Sequence, residues 1–201
     1  MKVLGIWGSP RRGGNSEVLL DAFLQGAAQG GAAVEKISLR ELKISPCMEI
    51  YHCFKDGTCP IKDDMLPLYD KLLEAEVVAL ASPIFFYSVS AQAKAMIDRT
   101  QALWSRRYVL KQDFPGGDRQ GVLLCTGATK GRLVFVGARL VAKYFFDAIN
   151  VRYAAEILVR GVDEKGAILS RTEELTAATD LGHRLAQGEV LPAIKMDPLA
   201  V

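Results

Sequence analysis

Histidine is scarce in this sequence: only His52 and His183 occur among 201 residues. The chain therefore offers neither a Ser/His/Asp triad nor a histidine-based metal site, and hydrolytic chemistry of those kinds has little support. No apolar run reaches the roughly 20 residues needed to cross a bilayer, and Gly8 interrupts the first run before a signal-peptide core could form. We expect a cytoplasmic protein without a membrane partner.

An excess of charge of either sign is also missing, because 25 Lys and Arg residues face 23 Asp and Glu residues. The net charge of +2 gives no reason to expect nucleic acid as a partner. Four cysteines in a chain this long do not suggest a disulfide scaffold. With 50% apolar residues, the composition predicts one large domain over residues 1–201.

Strand and helix patterns alternate along the chain. Five short runs rich in Val, Ile and Leu are typical of a parallel sheet covered on both faces, at residues 3–7, 34–39, 77–81, 122–125 and 151–159. Amphipathic stretches of helical length follow them, at residues 16–29, 64–74, 91–105, 133–148 and 171–187. Ser170 and Glu173 have the spacing of a capping box for the last helix.

This alternation predicts an α/β fold of three layers, with a five-stranded parallel sheet in the order 2-1-3-4-5 and helices on both faces. Ligands of such sheets bind beyond the carboxyl ends of the strands, so the loops after strands 1, 3 and 4 form the candidate site. Residues 43–62 form an insertion too long for an ordinary connection. We expect the tail from Gly188 to be irregular and to reach a neighbouring subunit.

The loop after the first strand spans residues 8–16 and reads Gly-Ser-Pro-Arg-Arg-Gly-Gly-Asn-Ser. Because it runs straight into a helix, its N–H groups and the positive end of the helix converge and predict an anion site. Gly14 and Asn15 stand where a triphosphate loop needs Lys and Ser or Thr, and the dinucleotide spacing G-x-G-x-x-G is absent. A terminal phosphate monoester fits best, and a simple turn with a helix N-cap is the alternative.

Four side chains of this loop supply donors and charge for such a phosphate: Ser9, Arg11, Asn15 and Ser16. The loop resembles that of the NADPH-dependent FMN reductases, whose first loop reads G-S-P-R-x-x-G-N-S. The resemblance implies a flavodoxin-like fold with FMN as cofactor. It also implies that these four residues hold the FMN phosphate and that Pro10 shapes the loop.

The loop after the third strand, residues 81–90, offers an apolar surface that suits a flat ring. Taken alone, it suits a buried hydrophobic turn equally well. Residues 82–99 are similar to the family's second signature, S-P-I-Y-F-x-S-V-S-A-Q-x-K-A-x-I-D-R, with Phe85 in place of the usual Tyr. The resemblance implies flavin contacts at Pro83, Ile84, Phe85, Phe86 and Ser88. We expect Asp98 and Arg99 to form a structural pair with each other.

The loop after the fourth strand, residues 126–131, closes a third side of the same cleft. The resemblance implies flavin contacts at Thr126, Gly127 and Ala128, and an ordinary strand-to-helix turn is the alternative. Cys125, just before this loop, is expected to be a small buried hydrophobe.

Three of the four cysteines lie in the insertion, at Cys47, Cys53 and Cys59. The segment resembles the cluster-binding segment of iron-sulfur flavoproteins, C-x2-C-x2-C-x5-C, but Ile50 stands where the second cysteine belongs. Isoleucine cannot coordinate iron, so we expect no metal, and the three cysteines would be ligands only if a cluster were present. Tyr51 and Phe54 are candidates to cover the flavin or build a subunit contact.

Together, the residues and the resemblance predict an oxidoreductase that passes hydride or electrons from NAD(P)H through bound FMN to a small acceptor such as a quinone or flavin. The chemistry would take place at N5 of FMN, so no catalytic side chain is expected. An electron-transfer protein of the iron-sulfur flavoprotein or flavodoxin type, without NAD(P)H turnover, is the alternative. The resemblance also implies a homodimer or homotetramer.

Overall fold

The computed structural model describes residues 1–196. Five strands form its centre: β1 (Lys2–Trp7), β2 (Ala33–Ser38), β3 (Val77–Pro83), β4 (Gln120–Gly127) and β5 (Arg152–Arg160). They pair in parallel in the order β2-β1-β3-β4-β5. The prediction of a three-layer, flavodoxin-like α/β fold with this strand order is confirmed.

The described residues contain seven α-helices, six between the strands and one after the last: α1 (Asn15–Gln29), α2 (Cys53–Asp56), α3 (Leu66–Glu74), α4 (Ala91–Arg99), α5 (Gln101–Trp104), α6 (Val136–Ala148) and α7 (Thr172–Ala186). Short 3-10 turns occur at Leu39–Glu41 and Ala167–Ser170, and a π-helical turn at Ser105–Val109. One hydrophobic core packs α1 and α7 against the sheet, and a second packs α3, α4 and α6 against its other face. Among the residues described, no helix is both long and apolar enough to cross a membrane.

Helix α1 is held in place by a close approach to α7. A Cβ on Gly26 would lie 1.8 Å from the carbonyl oxygen of Thr179, and one on Gly182 would lie 2.0 Å from that of Phe23. Since real Cβ atoms do not approach so closely, glycine is required on both helices where they cross. This packing fixes the direction of α1 and therefore the position of its N-terminus at the carboxyl edge of the sheet.

Two helix predictions were wrong in detail. The pattern over residues 91–105 predicts one helix, but α4 ends at Arg99 because the hydroxyl of Thr100 donates to the carbonyl of Ile97 (2.6 Å). The capping box at Ser170 does not form. The hydroxyl of Ser170 donates instead to the carbonyl of Ala167 (2.9 Å), and Arg171 occupies the N-cap position of α7.

Strand β2 and the tail also differ from the sequence pattern. The first four residues of β2 are exposed, because the strand lies at the edge of the sheet rather than under helices on both faces. From Gly188 to residue 196 the chain is irregular, as expected, and lies against its own sheet. The N–H of Ile194 donates to the carbonyl of Tyr153 in β5 (2.8 Å). Residues 197–201 lie outside the described residues.

Candidate functional site

The three predicted loops meet at the carboxyl edge of the sheet and border a cavity of about 190 Å³. Ten of the predicted contact residues line it: Ser9, Pro10, Arg11, Asn15, Ser16, Pro83, Ile84, Phe85, Thr126 and Ala128. Phe86, Ser88 and Gly127 lie outside its lining. The structure therefore brings most of the predicted set to one place, and their contacts with a ligand stay predictions.

The loop after β1 is fixed against the loop after β3. The N–H of Gly8 donates to the carbonyl of Ala81 (2.8 Å), and the hydroxyl of Ser90 donates to the carbonyl of Gly8. A Cβ on Gly8 would lie only 2.9 Å from the Cβ of Ala93 at the start of α4, so the crossing needs glycine. The loops after β1 and β3, which form two walls of the cavity, are thereby held in a fixed relative position.

The first turn of α1 carries a buried hydroxyl without a partner. Ser16 is 1% exposed, and its Oγ has no hydrogen-bond partner among residues 1–196. Such burial costs free energy unless a ligand or water supplies the missing bond. Ser16 lines the cavity at the helix N-terminus, where free N–H groups and the helix dipole favour an anion. The residues present therefore fit a phosphate group.

One acidic side chain, Glu17, also belongs to this first turn. Its carboxylate accepts a hydrogen bond from the N–H of Gly13 (2.5 Å) and pairs with Lys36 (2.8 Å). Gly13 has a φ of +65°, a conformation that favours glycine. Because Lys36 compensates the charge of Glu17, the first turn keeps its preference for an anion.

Asn15 makes contacts that the sequence did not indicate. Its Nδ2 donates to the carbonyl of Glu164 (2.9 Å), and its Oδ1 accepts from the N–H of Ile168 (3.2 Å). The side chain thus joins the first loop to the segment after β5. One N–H of the amide is left for the predicted contact with a phosphate.

The two arginines of the first loop have different surroundings. Arg11 lines the cavity, and its Nη1 lies 3.5 Å from the carbonyl oxygen of Asp163. Arg12 pairs with Glu41 (2.7 Å) and does not line the cavity. Of the two, Arg11 is the one placed to contact a bound anion.

The loop after β3 ends in a tight two-residue turn. Phe85 and Ser88 exchange two backbone hydrogen bonds of 3.0 Å, and Phe86 and Tyr87 between them have φ values of +48° and +64°. Bulky residues rarely adopt this conformation. Phe86 is fully exposed, whereas Pro83, Ile84 and Phe85 line the cavity. Of the residues predicted to contact the flavin ring, Phe86 therefore lies apart from the cavity, at the tip of the turn.

A fourth loop was missed by the sequence prediction. Residues 161–166 follow β5, and Val162, Asp163 and Lys165 line the same cavity. The N–H of Val162 donates to the carbonyl of Gly127 (3.1 Å), which ties this loop to the end of β4. A signal was available, because Gly161 and Gly166 bracket a polar segment directly after the last strand, whose carboxyl end must lie at the same edge.

The three cysteines of the insertion line a second cavity of about 750 Å³, together with Ile50. Burial raises the pKa of the Cys53 thiol, and the neighbouring Cys47 and Cys59 raise it further. Within residues 1–196, no group of three or more His, Cys, Asp or Glu is arranged to hold a metal ion. A cluster takes four thiolates, and this segment offers three with Ile50 at the remaining position, so the donor set does not fit an iron-sulfur cluster.

The predicted pair of Asp98 with Arg99 was wrong. Arg99 is 1% exposed and makes two hydrogen bonds to the carboxylate of Asp63 (2.7 and 3.2 Å), while Asp98 pairs with Lys94 on the surface of α4 (2.8 Å). Arg99 also donates to the carbonyls of Ser45 (2.9 Å) and Ile61 (3.3 Å). Arg99 follows Asp98 by one residue, about 100° around the helix, so it points inward and fastens both ends of the insertion. Cys125 is fully buried, as expected.

The fold is that of a flavodoxin-like α/β protein, with a cavity at the N-terminus of its first helix. A family model for NADPH-dependent FMN reductase matches residues 1–150. The chain belongs to this family, as its first two loops predicted.

Relatives point to the same class. An iron-sulfur flavoprotein of Methanocaldococcus jannaschii is 42% identical over 103 residues, which are 51% of this chain and 53% of that protein. A Bacillus subtilis protein named as an NAD(P)H-dependent FMN-containing oxidoreductase is 26% identical over 183 residues, 90% of this chain and 96% of that one. The alignments span between about half and two thirds of the iron-sulfur flavoproteins matched.

A solved structure supports the fold. The NAD(P)H:quinone oxidoreductase from Methanothermobacter marburgensis superposes with a TM-score of 0.70 at 18% identity, covering 92% of this chain and 98% of that one. At such low identity the likeness establishes the fold alone.

Proposed function

We propose that this protein is an FMN-dependent oxidoreductase that passes electrons from NAD(P)H to a small acceptor such as a quinone or a flavin. The observation that carries the proposal is the buried, unpartnered hydroxyl of Ser16 at the N-terminus of α1. It lies in the same cavity as the apolar residues Pro83, Ile84 and Phe85. A phosphate site beside a flat apolar surface matches the two ends of FMN.

The side chains have separate roles in this proposal. Ser9, Asn15 and Ser16 would donate hydrogen bonds to the phosphate, and Arg11 would add a charged contact. Pro83, Ile84 and Phe85 would lie against the ring, with Thr126 and Ala128 on the next loop. Bound FMN would supply the hydride and electron chemistry, so the protein needs no acid or base of its own.

The size of the cavity limits how much of the cofactor it encloses. Its volume of about 190 Å³ is below the roughly 300 to 1,000 Å³ typical of small-molecule pockets. The protein would therefore enclose the phosphate end and leave the rest at an open rim. An open rim gives a nicotinamide and an acceptor access to the same place.

The absorbance spectrum of the anaerobically purified protein tests the proposal, together with iron and sulfide assays. We expect a flavin band near about 450 nm, with less than one iron per chain. NADPH or NADH should bleach this band, and a quinone should sustain nicotinamide consumption. Absence of flavin binding would contradict the proposal, and four irons per chain would contradict the conclusion drawn from Ile50.

An electron-transfer protein without NAD(P)H turnover is the second candidate, favoured by the 42% identity to an iron-sulfur flavoprotein. Such a protein would keep its flavin band in the presence of NAD(P)H until a separate reductase is added. The nearly balanced charge of this chain, +2, argues against docking of a carrier by charge.

Assembly as a homodimer or homotetramer is part of the same proposal. Exposed apolar side chains at Phe86, Met48 and Ile50 would be buried by a second copy. Light scattering of the purified protein measures this, and a monomer at micromolar concentration would contradict it.

A further inference from the structure

The loop after β5 borders the cavity beside the loops after β1 and β4. Asp163 and Lys165 line it from this segment, whose turns are set by Gly161 and Gly166 with φ of +73° and +83°. Neither family signature includes these residues, and the family match ends at residue 150. The loop therefore lies outside the part of the chain that the family model matches.

Asn15 holds this loop in position. Its amide bonds to the carbonyl of Glu164 (2.9 Å) and to the N–H of Ile168 (3.2 Å), and Asn15 is 8% exposed. On the other side, Arg11 lies 3.5 Å from the carbonyl oxygen of Asp163. Two residues of the first loop thus fix the backbone of the last one, and the side chain between these anchors is Lys165.

Lys165 lies over the turn that opens α1. A Cβ on Gly13 would lie 3.0 Å from its Cε and 3.3 Å from its Nζ. The neighbouring cations are committed elsewhere, since Lys36 pairs with Glu17 and Arg12 pairs with Glu41. Among residues 1–196, Lys165 takes part in none of the ion pairs. Its charge is available to a ligand, with the carboxylate of Asp163 as the opposing charge in the lining.

We propose that Lys165, together with Arg11, determines the specificity of this site for a phosphorylated flavin. The orphaned hydroxyl of Ser16 and the N-terminus of α1 mark where a phosphate binds, and Lys165 lies over the same turn. A phosphate monoester is close to a dianion at neutral pH, so one cation from Arg11 leaves about one charge to balance. Lys165 supplies the second cation, and the inference rests on the FMN binding proposed above.

Titration of the flavin-free full chain with FMN and with riboflavin, followed by flavin fluorescence, tests this. Lys165→Ala should weaken FMN binding about fivefold to tenfold at low salt and leave riboflavin binding unchanged. Lys165→Arg should keep most of the preference for FMN. Lys130→Ala is the matched control, because Lys130 lies against Gly161 at the base of the same loop without lining the cavity, and it should behave as wild type.

The possible outcomes separate this inference from the proposed function. If wild type prefers FMN and Lys165→Ala keeps that preference, the role of Lys165 is overturned and FMN binding stands. If Lys165→Ala weakens both flavins equally, the lysine only positions the loop and the specificity role is overturned. If wild type binds neither flavin, the proposed function and this inference both fail.

Discussion

The cavity of the cysteine insertion and the cavity at the carboxyl edge of the sheet differ in size and in the groups that line them. The larger, of about 750 Å³, lies in the cysteine insertion, and the smaller, of about 190 Å³, lies at the carboxyl edge of the sheet. The larger has three thiols without a metal-binding arrangement, whereas the smaller collects an orphaned hydroxyl, a helix N-terminus and two cations. It is the convergent unpaired polar groups, and not the volume, on which we base the proposal of the smaller cavity as the ligand site.

The largest expected effect falls on the insertion, without involving the flavin. Arg99→Met would leave the carboxylate of Asp63 buried without its partner, and we expect a loss of about 3 to 5 kcal/mol in the free energy of unfolding, measured in urea. Lys94→Met is the control, since it breaks an exposed pair on the same helix and should cost less than about 0.5 kcal/mol. A loss for Arg99→Met no larger than the control's would contradict the anchoring role.

The ion pair of Asp63 with Arg99 should also make the stability of the protein depend on pH. Burial of Asp63 acts to raise its pKa, but hydrogen bonds from Arg99 and from the N–H groups of Ser45 and Met65 lower it below its ordinary value. A carboxyl with a lowered pKa in the folded state stabilises the protein above its unfolded pKa of about 3.9, and this contribution is lost as the pH falls further. The stability difference between wild type and Arg99→Met should therefore shrink below about pH 4.

The next effect tests the smaller cavity. Arg11→Ala should weaken FMN binding about tenfold or more and leave riboflavin binding unchanged, because it removes a charged hydrogen bond to phosphate. Arg12→Ala serves as the matched control, since Arg12 pairs with Glu41 outside the cavity. Fluorescence titration measures both variants. Equal losses in the two variants would mean that net charge alone, and not placement, attracts the ligand.

A smaller effect is expected for Ser16→Ala, which should stabilise the flavin-free protein but weaken FMN binding. Ser16→Ala removes a buried, unpartnered hydroxyl, so the flavin-free protein should gain about 1 kcal/mol of stability while FMN affinity falls. Ser105→Ala should instead lose stability without changing FMN affinity, because its buried hydroxyl donates to the carbonyl of Cys53 (2.7 Å). Chemical denaturation without FMN measures the stability of each variant, and denaturation with FMN measures how much binding adds to it. A destabilised flavin-free Ser16→Ala protein would show that the hydroxyl is satisfied internally.

The smallest effect concerns the turn after β3. In the monomer, Phe86→Gly should raise the free energy of unfolding by about 1 kcal/mol, because glycine adopts the positive φ without strain and the ring buries nothing within its own chain. Phe86→Ala isolates the backbone effect, since it removes the ring and keeps a Cβ. Thermal unfolding of the two variants at matched pH gives the comparison. An equal gain in both would assign the effect to the ring.

The sequence predicted the strand order and three of the four loops because those signals are local. Each strand is a Val, Ile and Leu run, and each motif loop directly follows one. The position of the fourth loop after β5 indicated the edge at which it lies, but its place in the cavity wall depends on contacts between distant residues, such as Asn15 with Glu164 and Ile168. The sequence around Asn15 does not indicate which groups its side-chain amide will hydrogen-bond.

The errors have the same cause. The adjacent charges of Asp98 and Arg99 suggested an ion pair, but consecutive residues on a helix point in different directions. Arg99 instead pairs with Asp63, 36 positions away. Ser170 and Glu173 have the right spacing for a cap, yet the 3-10 turn before α7 engages the serine first. Spacing along the chain predicts which groups can interact, and the tertiary fold decides which do.

The bond between Asn15 and the segment after β5 also sets an order of events during synthesis. A ribosome releases the motif loops first, and residues 161–166 appear only after β5 has left it. A chain cut at residue 150 would carry every motif that identifies the family and still lack one wall of the cavity. Under the proposed function, stable FMN binding would therefore have to wait until β5 and residues 161–166 have been synthesised.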